Sequence, residues 1–197
     1  MARPRNDRAN AESRTRLLEA GLASFRARSF AETGISDILQ RASVPKGSFY
    51  HYFLTKTDFG LAVADHYHDG QIAAARAVLG DAGRPPLDRL RHFFEAARAD
   101  MKARGYAEGC LMCNLTTELA DAAPQFQAGL DRHWRALSAE LARCLAEADL
   151  DRINLGHLTA QEAADWLLNA WSGALTRMKA TRDDTPLALF LRSIFKD

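Results

Sequence analysis

The 197-residue chain is 47% hydrophobic and 26% charged with only 12 Gly and 6 Pro, which excludes disordered, collagenous and disulfide-framework classes and fits a compact, helix-rich protein. Its 26 Lys+Arg against 25 Asp+Glu give a formal charge of +1, which taken whole argues against a nucleic-acid partner. Divided at residue 60, the chain carries ten basic and six acidic side chains before the cut and sixteen and nineteen after it, so a +4 head precedes a −3 body.

β-branched clusters and period-2 alternation are almost absent, and apolar residues recur three and four apart, so the fold class is all-α with about nine helices. Residues 1–9, with Arg3, Arg5 and Arg8, are expected as a flexible arm, either reaching a minor groove or simply solvated. Leu17, Leu18, Gly21, Leu22 and Phe25 form one stripe and predict a helix over 11–28. Two short helices follow, over 36–42 and 46–52, with Ser43-Val44-Pro45 between them; a proline just before a helix start loses no hydrogen bond. A longer helix is predicted over 56–79, ending in the Gly- and Pro-rich loop 80–86. Beyond it the pattern predicts helices over 87–104, 107–120, 124–148, 160–180 and 185–196, and Thr159 with Glu162 matches a capping box. The chain therefore divides into a basic unit over 10–66 and an acidic helical bundle over 67–197.

No run reaches the roughly 18 apolar residues that span a bilayer. Glu12, Arg14, Arg16 and Glu19 interrupt any apolar stretch behind the basic N-terminus. A cytoplasmic protein with no membrane partner is expected, and three cysteines are too few and too odd for an extracellular scaffold.

Helix, short helix, tight turn, short helix is the helix-turn-helix arrangement, whose second short helix enters the major groove. In Pro45-Lys46-Gly47-Ser48-Phe49-Tyr50-His51-Tyr52-Phe53 the aromatic anchors Phe49 and Phe53 are four apart and face a core, which turns the polar residues elsewhere. Gly47 lets the backbone N–H groups at a helix start approach a phosphate, and Lys46 and Lys56 bracket the helix with charges for the DNA backbone. The alternative is an aromatic patch against the long helix with a merely solvated charged face.

These residues, with Phe30, Thr33, Ile35, Asp37, Ile38, Ala42 and Val44 before them, resemble the signature of the TetR family of bacterial transcriptional repressors, densely over residues 12–66. The resemblance implies a homodimer reading a palindromic operator through an N-terminal three-helix head, with a C-terminal bundle for ligand sensing and dimerisation. It carries DNA contact onto Ser36, Lys46, Gly47, Ser48, Tyr50, His51, Tyr52 and Lys56. The dimer surface is then expected on the helices over 160–180 and 185–196.

In the bundle, Phe93, Phe94, Met101, Tyr106, Met112, Trp134, Trp166, Trp171 and Met178 are candidates either to line an apolar pocket or to form ordinary core. Cys110 and Cys113 stand in Gly109-Cys110-Leu111-Met112-Cys113-Asn114, near a helix start that favours thiolate. A C-x-x-C pair is also half a zinc site or a redox dithiol, but no second Cys/His pair follows, Cys144 with His133 or His157 would be an improvised set, and no thioredoxin-like βαβ unit is present. Cys144, within an apolar run, is expected as core. The stretch 109–119, with Trp171, Gly173, Ala174 and Lys179, resembles the NemR- and AcuR-like subgroup of the same family. That resemblance implies an electrophile or small-molecule inducer sensed at Cys110, with Lys179 beside it; Cys113 is a second thiol that the resemblance does not require, and a reversible pocket with structural cysteines is the alternative. No metal or cofactor is expected, and an enzyme is disfavoured because no patterned base and acid accompany Cys110.

Overall fold

The computed structural model describes the backbone of residues 4–121 and 124–195, with side chains from residue 10 onward. Among these residues every regular element is helical: α1 (Pro4–Ala27), α2 (Ile35–Ala42), α3 (Lys46–Tyr52), α4 (Lys56–Leu79), α5 (Pro86–Ala103), α6 (Leu111–Leu119), α7 (Pro124–Leu145), a 3-10 turn (Leu150–Ile153), α8 (Ala160–Thr181) and α9 (Thr185–Ile194). None is long and apolar enough to cross a membrane.

The stripe read on α1 is buried as expected, but the helix begins at Pro4 rather than near residue 11. Apolar periodicity marks only the part of a helix that packs. The Arg, Ala and Glu stretch before it contains no breaker after the first-turn proline, so the backbone over 4–9 is helical where an arm was expected. Arg3 lies outside the described residues, as do the side chains of Arg5 and Arg8.

α2 ends at Ser43, whose left-handed backbone (φ 52°) lets the N–H groups of Ser43 and Val44 close on Gln40 and Leu39, and Pro45 then opens α3. Phe25, Phe49, Phe53 and Phe59 form the centre of the head, with ring centroids 4.9–5.9 Å apart. Phe49 and Phe53 thus face inward, as their spacing predicts. α4 starts on a capping box between Thr55 and Asp58 and runs from the head into the bundle.

In the bundle, α4 and α8 pack on α7, while α5 and α9 cover one flank. The Phe94 ring packs at a tilt or edge-on against Phe190 and Trp171, with centroids 4.9–5.1 Å apart. The buried Arg89 of α5 donates to Leu79 O at 2.9 Å and to Glu147 at 2.6 Å, satisfying an unpaired carbonyl at the α4 C-terminus. The predicted Thr159–Glu162 box caps α8.

α6 starts at Leu111, not near 107. Gly105 (φ 63°), Tyr106 (φ 57°) and Gly109 (φ 68°) hold the chain in left-handed conformations that a helix cannot continue through. Cys110 is consequently the N-cap residue of α6.

Candidate DNA-reading face and sensor cavity

On the outer face of the head, Ser36 at the start of α2 and Lys46, Gly47, Tyr50 and His51 of α3 are exposed, and Ser48 is half-buried. Space around Gly47 is open, so its backbone is accessible to a partner. Two predicted contacts are already engaged within the chain. The Tyr52 hydroxyl donates to Asn10 O at 2.9 Å, pinning α3 to α1. Lys56 Nζ donates to Ala31 O at 3.2 Å and lies 4.6 Å from the centre of the Phe30 ring.

Phe30 and Ala31, in the connection between α1 and α2, are also where the bundle grips the head. Glu118 of α6 accepts the N–H of Phe30 at 3.0 Å and of Ala31 at 2.7 Å. The Phe30 ring packs edge-on against Phe126 of α7 at 5.6 Å and over Gly60 of α4, where an added Cβ would stand 2.5 Å from the ring. One short connection is thus held by α4, α6 and α7 together.

Cys110 is buried between cavities. The larger, about 640 Å³, is bounded by α1 (Leu22, Arg26), α4 (Tyr67, Gln71), α5 (Phe93, Met101), Cys110 itself and α8 (Trp171, Leu175). A smaller space of about 60 Å³, which shares Gln71, Phe93, Cys110 and Trp171 with it, is also lined by His68 of α4, Met112 of α6, His133 and Trp134 of α7 and Leu168 of α8. On another side, an open pocket of about 380 Å³ is bordered by Cys110, Cys113, Asn114, Glu118 and Lys179.

The Cys110 thiol is brought down from its ordinary 9.0 to about 6. The Cys113 thiol donating to it is the largest cause, the N–H groups of Cys113 and Met112 at the start of α6 and the Tyr67 hydroxyl add to it, and burial opposes. Cys113 is pushed up for the reciprocal reason. The Tyr67 oxygen lies 3.6 Å from Cys110 Sγ, and Gln71 Nε2 donates to that oxygen at 3.0 Å. Arg26 lies over the Tyr67 ring at 4.8 Å.

Of the residues expected to line a pocket, Phe93, Met101, Met112, Trp134 and Trp171 do. Phe94 and Met178 are core. Trp166 faces outward at 44% exposure because its position on α8 lies opposite the cavity. Tyr106 lines none of these cavities; its left-handed turn directs the chain back toward Met101, whose carbonyl accepts the Tyr106 N–H at 2.9 Å. Lys179 does reach the Cys110 region, but its ammonium donates to Asn114 Oδ1 at 3.2 Å. Cys144 is buried and its thiol faces Pro86 O at 3.3 Å. No described group of three His, Cys, Asp or Glu is placed to hold a metal ion. Sequence reasoning missed Arg26 of α1 and Tyr67, His68 and Gln71 of α4, because polar residues on a helix resemble a solvated face until the opposing helix is known.

An all-helical body with an internal cavity, carrying a helix-turn-helix head with a free outer face, defines a DNA-binding transcription regulator. Residues 17–63 match the family model described as bacterial regulatory proteins, tetR family, and residues 86–194 match the tetracyclin repressor-like C-terminal domain. Transcriptional regulator AcuR of Cereibacter sphaeroides is 35% identical over 184 residues, covering 90% of this chain and 81% of that protein. The crystal structure of a regulatory protein TetR from Rhodobacter sphaeroides matches with a TM-score of 0.84 at 32% identity, covering 91% of this chain and 95% of that one. Reduced NemR of Escherichia coli matches with 0.81 at 27%, covering 92% and 94%. The chain belongs to the TetR family; it is a transcription regulator and not an enzyme.

Proposed function

We propose that the protein is a cytoplasmic homodimeric repressor that leaves a palindromic operator when a small electrophile reacts at Cys110. The observation that carries this reading is the Cys110 thiol itself, held toward thiolate by Cys113, Tyr67 and the α6 start while bordering a cavity whose opposite wall is α1 of the head. Addition to the sulfur changes the volume and charge at the N-cap of α6. α6 carries Glu118 and therefore the connection at Phe30 and Ala31, so displacement of α6 shifts the head on the body and changes the spacing of two recognition helices.

Ser36, Lys46, Gly47, Ser48, Tyr50 and His51 are the proposed operator contacts. Tyr52 and Lys56 seat the recognition helix and reach DNA only by exchanging their internal bonds. The dimer face is proposed on α8 and α9, where Trp166 and Leu189 are exposed beside Ala170, Gly173 and Ala174. Lys179 and Cys113 are proposed as groups that stabilise or resolve the modified sulfur.

The size and apolar lining of the larger cavity favour a second reading, in which an inducer binds reversibly and the cysteines only shape the site. Titrating the reduced protein with an electrophile while following operator anisotropy and peptide mass together separates the two. Release in step with a Cys110 adduct supports the covalent reading, and release with Cys110 unmodified overturns it.

A further inference from the structure

Cys110 and Cys113 stand at the two ends of one helix turn. Leu111 and Met112 between them are helical and the Asn114 N–H closes on Cys110 O at 3.1 Å, so helix geometry holds the two Cα atoms about 5 Å apart. A disulfide spans Cα separations of roughly 4.4–6.8 Å. The extended backbone of Cys110 (φ −79°, ψ 127°) turns its side chain back over that first turn, as a capping side chain does, and the Cys113 thiol donates to its sulfur. Cys144 of α7 faces Pro86 O instead.

The two sulfurs differ in their surroundings. Cys110 borders both the larger cavity, walled by Phe93, Met101 and Trp171, and the open pocket on its other side. Cys113 is half-buried and borders the open pocket, whose other walls carry Arg28, Ser29, Thr117 and Lys179. An organic electrophile suits the apolar wall, whereas a small hydrated oxidant reaches both sulfurs through the polar pocket without giving up its hydrogen bonds. Lys179 also borders that pocket, but its ammonium is held by Asn114 Oδ1, and Asn114 donates in turn to Glu108 O at 3.0 Å. Cys113 already touches the Cys110 sulfur and needs no such release.

We propose that Cys110 and Cys113 form a redox dithiol that is oxidised by hydrogen peroxide, closing a reversible disulfide across the first turn of α6. The proposal rests on Cys110 being the reactive thiol of the switch, and it adds a second class of input. The Cys110 thiolate attacks a peroxide oxygen; an S–O bond forms, the O–O bond breaks, and hydroxide leaves and takes a proton from solvent. The Cys113 sulfur then attacks Cys110 Sγ; the S–S bond forms, the S–O bond breaks, and the departing hydroxide takes the Cys113 proton and leaves as water. Two electrons pass from the sulfur pair to one hydrogen peroxide, which ends as two waters. The disulfide removes the nucleophile without adding volume to the larger cavity, so the oxidised protein is closed to electrophiles until a thiol reductant reopens it.

The test treats the reduced, full-length protein with hydrogen peroxide in the absence of operator, blocks the remaining thiols with iodoacetamide after denaturation, and reads the peptides by mass. The peptide that carries both cysteines should lose two hydrogens and take up no iodoacetamide, while Cys144 remains open to it. Dithiothreitol should restore both thiols, and native iodoacetamide should alkylate Cys110 only after that reduction. In Cys113→Ser the reducible product should be lost, and dimedone should trap a sulfenic acid at Cys110 instead. Cys110 recovered as sulfinic acid or joined to Lys179 while Cys113 takes up iodoacetamide, a reducible product that persists in Cys113→Ser, or no oxidation of either thiol would each overturn the proposal. Native iodoacetamide on the untreated protein reports the Cys110 nucleophile by itself, so failure of the dithiol is distinguishable from failure of the Cys110 switch. The wild-type peptide map decides the pairing even if Cys113→Ser does not fold.

Discussion

Glu118 accepts the backbone N–H of Ala31 at 2.7 Å, joining the helix whose N-cap is Cys110 directly to the head that carries the recognition helix. A carboxylate accepting two backbone N–H groups is a charge-assisted contact worth about 1.5–3 kcal/mol per bond, enough to couple two bodies without fusing them. If α6 reports through this contact, Glu118→Ala should leave electrophile addition at Cys110 intact while reducing the resulting change in operator affinity several-fold. Anisotropy titrations with and without modification measure that ratio, and an unchanged ratio would remove Glu118 from the transmission route.

Lys46 is exposed at the start of α3, which suits its charge to a phosphate. Lys46→Ala should weaken binding to all sequences alike and lower the salt dependence of the dimer's affinity by about two counterions, one for each head. Titration across salt concentrations checks this. An unchanged slope would place Lys46 away from the DNA backbone.

The depressed Cys110 pKa makes a signed prediction. Thiolate is the reactive form, so iodoacetamide should alkylate Cys110 with a rate that rises through a midpoint of about pH 6, whereas an ordinary thiol rises near 9. Tyr67→Phe, which removes one donor to the sulfur, should move the midpoint upward without blocking reaction. Peptide-resolved alkylation from pH 5 to 9 measures it, and a Cys110 midpoint equal to that of the buried Cys144 would contradict the assignment.

His68 of α4 stacks on His133 of α7 at 4.2 Å, and burial, followed by the neighbouring imidazole, lowers His68 from 6.5 to about 4. Between those values the unfolded chain binds a proton that the folded chain refuses. This contribution to stability is complete above about pH 6.5 and is lost as pH falls toward 4. Thermal melts at pH 7.5 and 4.5 should show the loss, and His68→Phe should reduce it. An equal loss in that variant would assign the acid sensitivity to other groups.

The head was legible in the sequence because its signals are local. Phe49 and Phe53 four residues apart, Pro45 before α3 and the short connection at Ser43 each constrain structure within a few residues. The outer helices were legible to within a few residues for the same reason. The beginning of α6 was not, because the left-handed Tyr106 carries no compositional mark, and that miss moved Cys110 from inside a helix to its N-cap. Cys110 was legible as a residue but its environment was not. Tyr67 lies 43 positions away in sequence, and Glu118 meets Ala31 across 87, separations at which only packing specifies the partner. Trp166 and Trp171 illustrate the same point: both are large aromatics on α8, and their burial differs because five residues place them on different faces.

On the proposed reading, chemistry at the Cys110 sulfur controls operator occupancy. Mobility shifts of the reduced protein on its operator, before and after an electrophile such as methylglyoxal, should show release for the wild type. Cys110→Ser should bind comparably beforehand and remain bound afterwards. Release of Cys110→Ser to the wild-type extent would contradict the account.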